Sequence, residues 1–167
     1  NPSNWKSAYL DAGNNPKPLY KAISSTGGNL AITTAPAFSF PPIGGVMLTF
    51  ATGKSIEGLD FGGTTVRNRI FSVWDRTEFA AGTRSVPSGT STFETRTYTR
   101  QVDGSVKVGT VTAIDWSNRD GWVANFPTDG EMTVSNPELR ADTIFLTAIR
   151  PSTADECFGT PATTLYL

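Results

Sequence analysis

The sequence predicts an all-β protein built of antiparallel sheets, and three observations carry that prediction. Apolar runs of about six residues recur between glycine- and proline-rich breaks, the signature of strands and turns. The 167 residues include 16 glycines and 11 prolines, a density of chain breakers that suits many short elements. No stretch keeps apolar residues on one helical face for three turns.

The elements follow in chain order. Asn1 to Pro18 is polar and broken by Asn-Pro, Gly-Asn-Asn-Pro and Lys-Pro, so it reads as loop, with Trp5, Ala8, Tyr9 and Leu10 packing beneath it. Leu19 to Ile23 reads as a short strand closed by Ser24-Ser25-Thr26-Gly27-Gly28. Ile32 to Phe40 is strand-like, but Pro36 cannot donate to a ladder, which places this strand at an edge or a bulge. Pro41-Pro42-Ile43-Gly44-Gly45 turns the chain into Val46 to Ala51, a nearly unbroken apolar run too short for a helix. Arg69 to Asp75, with Ile70, Phe71, Val73 and Trp74, is a second buried strand of the same kind. Glycine-rich Gly58 to Thr65 connects the two.

Thr77 to Thr90 reads as loop. Thr92 to Arg100 alternates β-branched and aromatic residues, and Asp103-Gly104 then marks a hairpin. Val106 to Trp116 and Gly121 to Phe126 are the next strands, and Pro127 to Gly130 turns the chain again. An internal echo follows. Thr34-Ala35-Pro36-Ala37 ahead of Met47-Leu48-Thr49-Phe50 is matched by Ser135-Asn136-Pro137-Glu138 ahead of Ile144-Phe145-Leu146-Thr147, with the two prolines 101 residues apart.

The length suits one domain, 1–167, or a piece of a larger one. The first residue is Asn rather than Met, which leads us to expect a piece of something longer. With a net charge of −1 and 17% charged residues, no basic field for nucleic acid is expected. No apolar run reaches the ~20 residues of a membrane span. The chain has no histidine and a single cysteine, Cys157, which removes the commonest general base and leaves no zinc cluster. Cys157 reads either as a lone buried thiol or as half of a disulfide to a cysteine outside the chain.

Motifs with chemical meaning fail on their spacing. Gly53-Lys54-Ser55 resembles the tail of a phosphate loop, yet the position that needs glycine is Leu48 and no helix follows. It reads as a turn after a buried strand. Asp11-Ala12-Gly13-Asn14-Asn15 lacks the later ligands of a calcium loop and reads as a plain turn. Glu57, Asp60, Asp75, Asp115, Asp120 and Asp129 are the acids of note, and solubility and turn capping account for them. Trp74 is expected in the core. Trp116 and Trp122 flank the polar turn Ser117-Asn118-Arg119-Asp120, so Trp116, Arg119 and Trp122 are the candidates for surface recognition.

Met47-Leu48-Thr49-Phe50-Ala51-Thr52-Gly53-Lys54 followed by Phe71-Ser72-Val73-Trp74-Asp75 resembles paired segments of the C-terminal β-propeller domain of PilY1/PilC-type proteins. Gly121-Trp122-Val123, Ser135 to Arg140, Ile144 to Ser152 and Cys157-Phe158-Gly159 continue the likeness in the family's order. The resemblance implies part of a β-propeller, and the 101-residue spacing of the echo fits about two blades, with the stretch around Arg76 to Asp103 inserted in the first. It implies an exported, non-enzymatic protein of the cell surface, pilus tip or outer membrane of a Gram-negative bacterium, acting in type IV pilus biogenesis and adhesion. Its partners would be minor pilins or a host-surface receptor, and bare blade faces would favour self-association. No cofactor is implied for this stretch. The family's calcium loop, rich in alternating Asp, has no counterpart here and would lie elsewhere in the parent protein. The alternative reading is a carbohydrate-binding or phage-fibre-like β domain that stacks sugars on Trp116 or Trp122.

Overall fold

The computed structural model describes residues 9–56, 66–76, 90–151 and 162–167. Among them every regular element is a strand. In chain order these are β1 (Ala37–Ser39), β2 (Val46–Ala51), β3 (Arg69–Asp75), β4 (Phe93–Arg96), β5 (Tyr98–Arg100), β6 (Val106–Val108), β7 (Gly121–Asn125), β8 (Met132–Thr133), β9 (Glu138–Arg140), β10 (Thr143–Arg150) and β11 (Ala162–Tyr166). They form a five-stranded sheet in the order β1-β2-β3-β7-β4, a second sheet in which β11 and β8 flank β10 and β9 also pairs with β10, and the small hairpin β5-β6.

The apolar runs became the central strands. β2 pairs antiparallel with β3 from Val46↔Asp75 to Ala51↔Ile70, and β3 pairs antiparallel with β7. Both faces of the first sheet are buried, which explains why these strands read as continuous rather than alternating. One face carries Phe50, Phe71, Val73 and Val123, covered by Leu19, Tyr20, Ala22 and Leu30. The Tyr20 ring lies 5.3 Å from Phe71 and 5.2 Å from Phe93. Ala51 and Ile70 face the other way and meet Leu146, Ala148 and Tyr166 of the second sheet. On this second face Thr49 and Ser72, opposed in the ladder, satisfy each other at 2.8 Å.

One pairing departs from the antiparallel rule. β4 joins β7 in parallel, Phe93↔Gly121 to Arg96↔Ala124. The insertion between β3 and β7 makes this feasible, because a parallel neighbour needs a long crossover. Gly121 sits at the tightest point, with φ +145°. A Cβ there would stand 1.9 Å from Ser72 O.

Four expected strands are shorter or absent. Ile32 to Phe40 keeps only Ala37–Ser39, just past Pro36. Leu19 to Ile23 forms only an isolated bridge, Ile23↔Asn29. It serves as cover for the first sheet, so its apolar residues are explained by packing alone. Thr92 to Arg100 is split at Thr97 into β4 and β5, which belong to different sheets. Val106 to Trp116 is strand only to Val108, because its partner β5 begins at Tyr98 and the ladder ends there; Asp115 then closes a turn on Ser117 and Asn118. The connection Gly58 to Thr65, all but Thr90 of the loop from Thr77 to Thr90, and Cys157 lie outside the described residues.

The sequence echo is structural. Gly53 N–H donates to Ala31 O while Thr49 faces Ala37, so the proline-bearing strand takes six residue steps where its partner takes four. In the second sheet Thr133 faces Ala148 and Arg140 faces Thr143, seven steps against five. Each unit therefore bulges by the same two residues, once around Pro36 and once around Pro137. The two breaks meet: Ala35 N–H donates to Asn136 Oδ1 at 2.9 Å.

Candidate functional site

The residues singled out in the sequence fall into two settings. Trp116 lies in the Asp115–Asn118 turn and packs edge-on against Trp74, ring centres 5.6 Å apart. Trp74, at the end of β3, is half-buried rather than fully in the core. Its indole N–H donates to Gly44 O at 2.9 Å, and the Arg76 guanidinium lies 4.6 Å over its ring. Arg76 also reaches Asp120 at 2.8 Å and the carbonyl of Arg119. Arg119 in turn pairs with Glu94 at 3.4 Å and donates to Ser91 O. Trp116 and Arg119 are thus joined through Trp74 and Arg76 into one rim cluster at the start of β7.

Trp122 sits apart from that cluster. It packs on the inter-sheet core and lines an open cleft of ≈ 270 Å³ with Thr49, Ile70, Tyr98 and Tyr166, and with Asp142 at its mouth. The Tyr98 hydroxyl is pushed up by burial. A flat aromatic wall beside a few polar groups is the usual make-up of a small recognition cleft.

The acids of note that lie among the described residues each have a local task. Asp75 accepts a hydrogen bond from the Tyr9 hydroxyl. Asp115 accepts from the Ser117 hydroxyl, the Asn118 amide and the Ser117 backbone, which hold its carboxyl below the usual range. Asp129 is held low by Arg67, 2.6 Å away. Asp11 accepts from the backbone and side chain of Asn15 and from Gly13, so its carboxylate is turned into its own loop. Glu57 and Asp60 lie outside the described residues. Among the described residues no three of His, Cys, Asp and Glu gather as a metal site.

Gly53 is explained by a close approach: a Cβ there would meet Thr133 O at 2.6 Å. Gly53-Lys54-Ser55 is where the first unit touches β8, not a phosphate cradle.

The residue that reading the sequence missed is Glu131. Its side chain is 1% exposed, and Arg100 meets both of its oxygens at 2.9 and 3.0 Å. The Tyr166 hydroxyl donates to it at 2.6 Å. Arg100 also donates to Thr128 Oγ1, Thr164 Oγ1 and Gly104 O. Burial first, and the Glu131 carboxylate second, push the Tyr166 hydroxyl far up, so it stays protonated as a donor. One buried carboxylate therefore ties β5, β8 and β11 together. The signal was present as an acid placed directly ahead of a strand, Gly130-Glu131-Met132, but its partners lie 31 and 35 residues away.

This geometry can be set against known proteins. No protein-family model matches the chain. The type IV pilus biogenesis factor PilY1 of Pseudomonas aeruginosa, in strains PAO1 and PAK, is 27% identical over 81% of this chain. The crystal structure of the P. aeruginosa PilY1 C-terminal domain superposes with a TM-score of 0.68 over 81% of this chain, at 24% identity. In sequence and in fold, the chain matches part of a PilY1 C-terminal domain. The match covers 13% of the curated PilY1 chains and 32% of the solved domain. The stacked sheets with their repeated proline bulge are accordingly those of a partial β-propeller, as the PilY1 likeness in the motifs implied. No helix among the described residues is long and apolar enough to cross a membrane.

Proposed function

We propose that the chain is a two-blade part of a PilY1-like protein that works in type IV pilus biogenesis and adhesion through protein–protein contacts at the cell surface. The observation that carries this reading is the joint sequence and fold match to the PilY1 C-terminal domain over four-fifths of the chain. The relatives are named as biogenesis factors, and that agrees with the chemistry on view. Asp75, Asp115, Asp120 and Asp129 are occupied in turns, a hydrogen bond and ion pairs and Glu131 in a buried latch, which supports a binding role for this surface. Minor pilins or a host-surface receptor are the partners we assign to it. Contacts would fall on the rim, where Trp74, Trp116, Arg76 and Arg119 present aromatic and cationic groups on a stiff sheet.

The test is a chimaera. The matching segment of P. aeruginosa PilY1 is replaced by this chain, and surface pili and twitching are measured. Restored piliation is expected. A chimaera that is exported and folded but leaves the cells without surface pili would refute the reading. A second chimaera with Trp116→Ala and Arg119→Ala separates adhesion from assembly, since it is expected to keep pili and lose attachment.

A further inference from the structure

Three Asp-Gly steps occur in the chain, at Asp103-Gly104, Asp120-Gly121 and Asp129-Gly130. Such a step is where an aspartate converts most readily to isoaspartate, because glycine has no side chain to shield its backbone nitrogen from the neighbouring carboxyl group. The fold treats the three unequally. Asp120 pairs with Arg76 at 2.8 Å, its N–H donates to Thr92 O, and its carbonyl accepts from the Trp74 N–H. Gly121 is buried against Ser72. Asp129 is gripped by Arg67 at 2.6 Å, and the buried Gly130 donates to Val66 O. Ring closure at either step requires the backbone around a buried glycine to come apart.

Asp103-Gly104 differs on every count. It forms the tip of the β5–β6 hairpin, where Val102, Asp103, Gly104 and Ser105 are exposed. Gly104 has φ +84°, and a Cβ there would meet nothing within 4 Å among the described residues. The tip is closed by Gln101 N–H to Ser105 O at 2.8 Å and Gly104 N–H to Gln101 O at 3.1 Å. Exposed turn bonds of this kind open locally, without unfolding of the sheets. The Asp103 carboxylate accepts from the Ser105 hydroxyl at 2.6 Å and the Ser105 N–H at 2.9 Å, so it already spans the Gly104 peptide.

We propose that Asp103-Gly104 is a site of spontaneous modification, at which Asp103 becomes isoaspartate through a succinimide, and that the change loosens the hairpin's hold on Arg100. In the first step the Gly104 nitrogen attacks Cγ of the Asp103 carboxylic acid. The N–Cγ bond forms, the Cγ–OH bond breaks, and the hydroxyl leaves with the amide proton as water. In the second step water adds to the backbone carbonyl carbon of Asp103. The bond from that carbon to the Gly104 nitrogen breaks, and the nitrogen takes up a proton. The water lost is the water regained, so the mass is unchanged. The main chain now runs through Cβ and Cγ of residue 103 and is one atom longer. That displaces Gly104 O, which accepts from Arg100 Nη1 at 2.9 Å, and Arg100 is also the partner of buried Glu131. The Ser105 bonds hold the Asp103 carboxyl below the usual carboxylate range, so the acid form that reacts is commoner in mildly acid than in neutral solution. The site goes beyond the pilus reading and does not depend on it.

The chain is aged, folded, at mildly acid pH and physiological temperature, and isoaspartate is located by electron-transfer fragmentation of its peptides. A parallel sample is aged in denaturant. In the folded chain isoaspartate is expected at Asp103 at least about tenfold faster than at Asp120 or Asp129. In denaturant the three steps should react at similar rates, which assigns the difference to the fold. Asp103→Glu, which would have to close a less favoured six-membered ring, should remove the folded-state product. The aged chain should exchange amide hydrogens faster over residues 98–108 than the fresh chain or the aged Asp103→Glu variant. Equal rates at the three steps in the folded chain would overturn the proposal. So would a folded chain left unmodified at Asp103 while the denatured chain reacts there. Isoaspartate at residue 103 with exchange over 98–108 unchanged would refute the loosening of Arg100.

Discussion

The two sheets share a plan and differ in what holds them. Each begins with a proline-broken strand that bulges by two residues against a long central strand, β2 or β10. The first sheet is closed by hydrocarbon on both faces, with Phe50 stacked 5.5 Å from Phe71 on one side and Ala51 and Ile70 on the other. The second has fewer strands and is anchored by a buried carboxylate. Glu131 draws in Arg100 from the inserted hairpin and Tyr166 from β11. Apolar burial holds the first sheet without specifying partners. The ion pair holds the second at one place and fixes where the insertion docks, a registering role that buried polar groups are known to serve.

The comparison can be broken most severely at Gly121. Gly121→Ala drives a Cβ into Ser72 O at a positive φ, and a loss of more than about 4 kcal/mol is expected, enough to leave no cooperative thermal transition. Next come Phe71→Ala, expected to cost about 3–5 kcal/mol in urea unfolding by opening a cavity, and Glu131→Ala, expected to cost about 2–4 kcal/mol because the half-buried Arg100 and the Tyr166 hydroxyl lose their carboxylate. They should differ in place. Phe71→Ala weakens the protein globally, whereas Glu131→Ala should also raise exchange in 98–108, because the hairpin loses its anchor.

Arg69 sharpens the contrast further. It is buried in the first sheet, donates to Ile23 O and lies over Phe71, with no carboxylate partner among the described residues. Burial pulls its pKa down. Arg69→Met should therefore shift stability by no more than about 1 kcal/mol, far less than loss of Glu131. A cost near that of Glu131→Ala would show that the first sheet also relies on charge.

The smallest effect concerns acid. Asp11, Asp103, Asp115 and Asp129 are held below the ordinary carboxylate value by hydrogen bonds in their own turns and, for Asp129, by Arg67. The folded state thus binds these protons less readily than the unfolded chain. Their contribution is present above about pH 4 and falls away as pH drops through the lowered values. Asp103→Asn with Asp115→Asn should flatten the acid limb of the stability profile by lowering the value at pH 7 slightly while leaving the acid end little changed. Tyr166 acts in the opposite sense. Its raised value favours the folded state below the ordinary tyrosine pKa, and that contribution fades above about pH 10.

Strands with one clear pattern were legible in the sequence. Val46 to Ala51 and Arg69 to Asp75 emerged with the same bounds because burial on both faces leaves an unbroken apolar run. Pro36 and Pro137 announced the repeat because a missing N–H has only edge or bulge positions open to it. Leu19 to Ile23 misled because apolar residues laid over a sheet look like residues within one. The split at Thr97 and the parallel β4–β7 pair were hidden, since alternation reports a strand but not which sheet receives it. Trp116 and Arg119 could be found from their polar turn, but Trp74 and Arg76, which join them, lie more than forty residues earlier in the chain. Glu131 left almost no trace, because a buried ion pair is a property of three distant segments.

The central claim is that the two proline-broken strands stand side by side, so that one blade-like unit stacks on the next. Ala35→Cys with Asn136→Cys, in a Cys157→Ser background, tests it with a short bis-maleimide linker. Rapid crosslinking within a single chain is predicted, because Asn136 Oδ1 already touches the Ala35 amide at 2.9 Å. A folded chain that fails to crosslink, or that links only between molecules, would contradict the account.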